Sequence, residues 1–184
     1  MRGDPAKLTA RSAGPRKGAC RGGRAHLSCR FETRYNLNTY PQYKRIQMIT
    51  RTLRPDEWPD AYPLIAQLRT ISREAFLASV KIQTLNGYML VGAFNENALV
   101  GVMGCRPVHT LARGFHLHID DLVVDEQCRR AGIGKALLDF ATREAQSRDM
   151  GAIFLDARQQ AIPFYTRHDF IPHASPSMKK PLLP

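Results

Sequence analysis

The stretch LVVDEQCRRAGIGKALLDFA, residues 122–141, reads as a strand, a turn and the start of a helix. A β-branched apolar run ends at Val124, two arginines follow a short polar stretch, and Gly132-Ile133-Gly134 opens a segment whose apolar residues Ile133, Leu137, Leu138 and Ala141 recur at helical spacing. The first N–H groups of a helix lack intrahelical partners, and the macrodipole makes that end attractive to anions. Glycine removes the Cβ that would hold phosphate oxygens away from the backbone. The turn is suited to a polyphosphate.

Spacing excludes two nucleotide signatures. A P-loop needs glycine where this chain has Arg129 and Ser or Thr where it has Ala136. The dinucleotide fingerprint G-x-G-x-x-G fails at Leu137. What remains is Arg129-x-x-Gly132-x-Gly134.

Outward from this turn the chain alternates legibly. ITRTL at 49–53 predicts a strand, residues 55–70 a helix begun late or interrupted by Pro59 and Pro63, and Ser72 the cap of a second helix carrying Phe76, Leu77 and Val80 on one face. YMLVGAFN (88–95) and ALVGVMGCRPV (98–108) are strands joined through Glu96-Asn97 as a hairpin. GFHLHIDDLVV (114–124) precedes a helix over 132–148, and GAIFLDA (151–157) is an apolar strand before a short helix, AIPFYTRHDF (161–170). A last extended piece, IPHASPSMKKPL, closes the chain. Hairpins followed by alternating strands and helices predict a mixed sheet with helices on both faces.

Taken with their flanks, these segments resemble the GNAT superfamily of acetyl-CoA-dependent N-acetyltransferases. LVVDEQCRRAGIGKALLDFA is similar to its strand, loop and helix motif, FLDARQQAIPFYTRHDF to its second motif with Ala-x-x-Phe-Tyr, and VGAFNENALVGVMGCRPV to its central strands with a small Val-Gly step. The likeness covers about residues 49–184. It implies an α/β fold with a mixed, mostly antiparallel sheet, a splayed central strand pair and helices on both faces. It also implies an acyltransferase that moves the acetyl group of acetyl-CoA directly onto a primary amine.

Site residues follow from the same resemblance. The main chain of Leu122, Val123 and Val124 is expected to pair with the pantetheine arm like an added strand, beside a β-bulge, while their side chains pack as core. The backbone of Arg130, Ala131, Gly132, Ile133, Gly134 and Lys135 is expected to cradle the pyrophosphate. Arg129 and Arg130 supply a phosphate field, or are solvated charges. Val124 N–H is the candidate oxyanion donor. Tyr165 is expected beside the coenzyme sulfur as the acid that protonates the leaving thiolate; at helical spacing from Ala161 and Phe164 it would otherwise read as core. Asp169 stands where the family has a glycine in a left-handed turn, a conformation that Asp adopts at a cost of about 1 kcal/mol.

Strand alternation guides the choice of base. It puts His116, His118, Asp120, Leu122 and Val124 on one face and Leu117, Ile119, Asp121 and Val123 on the other. Asp120 is the first candidate and His118 the second; the alternatives are that they hold the acceptor's cation or form polar surface, with Asp156 a further candidate. The acceptor itself, a small-molecule amine or a protein amino group, carries no signature in the sequence, although Asp120, Asp121 and Glu74 favour a cation.

Composition bounds the rest. The 184 residues, 43% hydrophobic, make one domain with a core plus a tail, and a homodimer is compatible with that size. The net charge of +11 is uneven: residues 1–47 hold 11 Lys and Arg against Asp4 and Glu32, whereas residues 48–184 hold 16 against 14. The basic tail has too little apolar sequence to fold and is expected to be disordered. It reads as a start assigned too early ahead of Met48, as an organelle transit peptide, or as a nucleic-acid arm in which Phe31, Tyr35, Tyr40 and Tyr43 interleave with basic residues. Nucleic acid is not expected as a partner except through that tail. With no membrane span and no secretory signal, residues 48–184 are read as a cytoplasmic GNAT domain. Cys20, Cys29, Cys105 and Cys128 show no metal-binding or disulfide spacing, so no metal is expected. Two non-enzyme alternatives remain: an acetyl-CoA-binding sensor without turnover, and a nucleic-acid-binding protein using its arm.

Overall fold

The structure is a computed structural model that describes residues 48–174 and 178–182. The expected disorder of residues 1–47 lies outside the described residues. Five strands form one sheet in the order β1 (Met48–Thr52), β2 (Met89–Asn95), β3 (Ala98–Thr110), β4 (Gly114–Val124), β5 (Ile153–Leu155). Strands β1 to β4 pair antiparallel and β5 joins β4 parallel. The mixed, mostly antiparallel sheet expected from the sequence is present.

Local chemistry sets the elements. Glu96 takes φ 55 in the tight turn between β2 and β3, where Glu96-Asn97 predicted a hairpin. Ser72 caps α2 (Arg73–Thr84) by accepting from Ala75 N, and Phe76 and Val80 are its buried face. Helix α1 (Trp58–Leu68) starts late, with Pro59 in its first turn, where no N–H is needed, but it continues through Pro63. Tertiary packing outweighs that proline: Ala61, Leu64 and Ile65 are buried against the sheet.

The helices cover opposite faces. On one, α3 (Ile133–Ser147) lays Ile133, Leu137, Leu138, Ala141 and Ala145 over Val91, Met103, Cys105, Leu117 and Ile119. On the other, α1 and α2 pack over Leu90, Val102 and Val123. Gly101 lets α3 come close, because a Cβ there would lie 2.7 Å from Ile133 Cγ2.

Two expectations change at the C-terminal end. The final helix is shorter than 161–170: a 3-10 turn over Gln159–Ala161 leads into α4 (Ile162–Thr166). Asp169 then takes φ 65, the left-handed conformation expected of it, and Phe170 N closes back on Tyr165 O. The closing extended piece forms no strand among the described residues; Pro172 and Pro181 lack the N–H that a ladder needs.

Candidate active site

Strand β4 carries an extra residue. Its register with β3 runs Cys105 to Ile119 but Gly104 to Asp121, so Asp120 has no partner and forms a β-bulge. The bulge reverses alternation: Leu117 and Ile119 before it, and Leu122 and Val124 after it, all pack on the α3 side, whereas Val123 packs on the α1–α2 side. The expectation that His116 and His118 share a face with Leu122 and Val124 is therefore wrong. One unpaired residue shifts the period of two by a single step.

The bulge also marks where β4 and β5 part. Their pairing covers Leu117–Ile153, His118–Phe154 and Ile119–Leu155 and stops there. Peptide groups alternate between the two edges of a strand. Asp125 N donates to Val100 O, and Val123 O faces Gly101, so Val123 points to β3 and the N–H groups of Leu122 and Val124 turn to the open side. A cleft of about 130 Å³ lies in this splay, lined by Arg69, Asp120, Asp121, Asp156, Arg158 and Tyr165 among others.

Arginines the sequence did not flag hold the bulge. Arg106 binds Asp120 with two N–H groups, at 3.0 and 3.3 Å. Arg69, just beyond α1, donates from Nε to Asp121 Oδ1 at 2.7 Å and from Nη2 to Asp120 O at 3.3 Å. Arg158 donates to Leu68 O at 2.7 Å. His118 Nε2 lies 3.7 Å from Asp120 Oδ1, behind it rather than in the cleft wall. Burial lowers the His118 pKa below 6.5, opposed by the Asp120 carboxylate and assisted by Arg106. The imidazole is thus neutral at neutral pH and able to accept a proton.

Tyr88 was also missed. It is buried with its hydroxyl over Gly104, opposite Asp121, where any Cβ at 104 would overlap the phenol. Burial, then Asp121 and Asp120, push its pKa far up. Before the structure, Tyr88 is indistinguishable from a core aromatic at the head of a strand.

Tyr165 projects from α4 into the same cleft, with Phe164 and Phe170 rings edge-on at 5.1 and 5.6 Å. Burial raises its pKa, which keeps the phenol protonated. The structure therefore brings Asp120, Leu122 and Tyr165 to one cleft.

The glycine turn follows the C-terminal end of β4, beyond the bulge. Arg130 takes φ 70 and Gly132 φ 81, and Gly132 caps α3, leaving the N–H groups of Ile133, Gly134 and Lys135 without intrahelical partners. Free N–H groups at a helix start, with the macrodipole behind them, are suited to an anion. Arg129 pairs with Glu126 at 3.3 Å and Lys135 with Asp139 at 2.7 Å, so both are partly neutralised; Arg130 makes no ion pair among the described residues. Gly134 also has a packing role that the sequence did not show. Its missing Cβ faces Phe164, 2.9 Å from Cζ, so the glycine admits α4 to α3.

A family model described as Acetyltransferase (GNAT) family matches residues 47–170. The chain belongs to the GNAT acetyltransferase family. It is 34% identical over 116 residues, 60% of this chain and 82% of the other, to Uncharacterized N-acetyltransferase YhdJ of Bacillus subtilis (strain 168). Among solved structures it resembles an acetyltransferase of Trypanosoma brucei, with TM-score 0.63, 23% identity and coverage of 73% of this chain and 99% of that one. It also resembles glucosamine-6-phosphate N-acetyltransferase of Arabidopsis thaliana, with TM-score 0.62, 20% identity and coverage of 73% and 98%. As a GNAT protein the chain is an acyltransferase, in a family that generally uses acetyl-CoA and acts on amines. Among the described residues no helix is long and apolar enough to cross a membrane.

Proposed function

We propose that this GNAT chain transfers the acetyl group of acetyl-CoA directly to a primary amine in the splay between β4 and β5. The observation that carries the reading is that the cleft joins an unpaired strand edge to a protonated, half-buried tyrosine, with an anion-binding turn just past the C-terminal end of the same strand. The coenzyme is a co-substrate. Its pantetheine arm pairs with the outward peptide groups of Leu122 and Val124, and its pyrophosphate rests on the turn from Arg129 to Lys135.

The chain's own groups then divide the chemistry. Asp120, at the cleft wall, meets the acceptor's ammonium and takes up its proton, and neutral His118 behind it is the second acceptor. Both Asp120 oxygens already accept from Arg106, which fixes the carboxylate's orientation. Val124 N–H stabilises the oxyanion, and Tyr165 gives its proton to the departing thiolate. A screen of amines with acetyl-CoA, read by free thiol release, tests the reading. Turnover of at least one primary amine class is expected; tight acetyl-CoA binding without turnover of any amine would make the protein a sensor instead.

A further inference from the structure

The charges around the cleft are not equivalent. Asp120 is held by two N–H groups of Arg106 and Asp121 by Arg69, so both carboxylates are compensated and attract a cationic acceptor less than their number suggests. Glu74, the third acidic residue expected to draw a cation, sits exposed in the first turn of α2 and does not line the cleft. Arg158 differs from the other two arginines. It lines the cleft, makes no ion pair among the described residues, and is anchored by one N–H to the neutral carbonyl of Leu68. A guanidinium has five N–H donors and no acceptor, so most of its donor capacity remains at the rim, beside the Asp156 carboxylate that lines the same cleft. Anchoring fixes the fork, and a fixed fork matches the paired oxygens of a carboxylate or phosphate.

We propose that the acceptor is a primary amine that also carries an oxyanion, which Arg158 binds while the amine is directed to Asp120. The proposal rests on the acetyl-transfer reading above and adds the substrate class. Arg158 is then a specificity-determining residue. The same guanidinium would take a carboxylate or a phosphate, and the test separates the two.

Matched small acceptors make the comparison: β-alanine against β-alaninamide, and phosphoethanolamine against ethanolamine. Titrations into the full chain with coenzyme A present, followed by NMR, measure binding without requiring turnover; kcat/KM by thiol release measures the reaction. Wild type should prefer the anionic member of at least one pair by about tenfold, the typical value of one charge-assisted interaction. Whichever pair shows it identifies the oxyanion. In Arg158→Gln the preference should collapse toward unity through KM, and Arg158→Lys should restore part of it, because a point charge remains but the fork does not. Equal response to both members of each pair, or to neither, overturns the proposal. So does an Arg158→Gln loss that is the same for charged and neutral acceptors, which would make Arg158 only a clamp on Leu68. Charge-selective binding without acetyl transfer to any amine would uphold the anion site and refute the transfer reading, so the two failures are distinct.

Discussion

Replacing Gly134 by alanine separates two reasons for a glycine in the turn. The added Cβ would lie 2.9 Å from Cζ and 3.2 Å from Cε2 of Phe164, and ordinary contact begins at 3.4 Å, so the ring must retreat by about 0.5 Å. It is poorly placed to do so: it stands edge-on to Tyr165 at 5.1 Å and His168 at 4.9 Å and packs on the α3-side core. One surplus methyl in a packed site costs about 1–3 kcal/mol. Alanine recovers up to ~1 kcal/mol of helix propensity. The single variant should therefore lose about 0–3 kcal/mol, too wide a window to decide alone. In a Phe164→Leu background the clash is gone and the same alanine should be neutral or stabilising, a coupling of about 1–3 kcal/mol in urea unfolding. Gly132→Ala is the contrasting change: its Cβ meets nothing within 4 Å, but φ 81 costs about 1–2 kcal/mol, which Phe164→Leu cannot relieve. Additivity of Gly134→Ala and Phe164→Leu within about 0.5 kcal/mol would refute the contact argument. A fall in acetyl-CoA affinity with unchanged stability would return Gly134 to the phosphate.

Tyr165→Phe keeps the ring and removes the proton, so kcat at saturating substrates should fall on the order of 10²-fold, with stability changed by about 1 kcal/mol or less and coenzyme affinity retained; wild-type turnover would remove the acid assignment. His118 titrates below 6.5 in the fold because burial disfavours its charged form, so as pH falls the unfolded chain takes up the proton first. Its stabilisation is full above 6.5 and lost as pH drops from there through the folded value, so His118→Gln should flatten the unfolding free energy between about pH 7 and 5, and parallel curves would contradict the burial argument.

What the sequence made legible was local. Ser72 as a cap, Glu96-Asn97 as a turn and the periodicity from Ile133 to Ala145 each depend on chemistry within a few residues, and each appears where expected. The bulge at Asp120 was a different case. HLHIDDLVV alternates well enough to suggest an unbroken strand, and only the register with β3, set by Gly104 under Tyr88, shows that one residue is surplus. Arg69 and Arg106 lie 52 and 14 positions from their aspartates, so no local pattern ties them to the site. Gly134 was singled out because no Cβ bars a phosphate, whereas the ring that its Cβ would meet lies thirty positions away.

The sheet is one, but beyond the bulge β5 parts from β4 and leaves two leaves. Strands β1 to β4 form a continuous ladder as far as Val124, whereas β5 joins it through the three register pairs from Leu117 to Ile119, with α4 packed on α3 through Phe164 and Arg158 bonded to Leu68 O across the gap. Below the bulge the leaves are stitched; above it they can breathe. A molecule lying along Leu122 and Val124 would act as a temporary sixth strand, completing a ladder the chain itself leaves unfinished, so part of its binding energy would appear as folding energy of the outer leaf. Amide exchange in β5 and α4 would slow on loading while β2 and β3 stayed as they were, and the enzyme would be stiffest when it holds its donor.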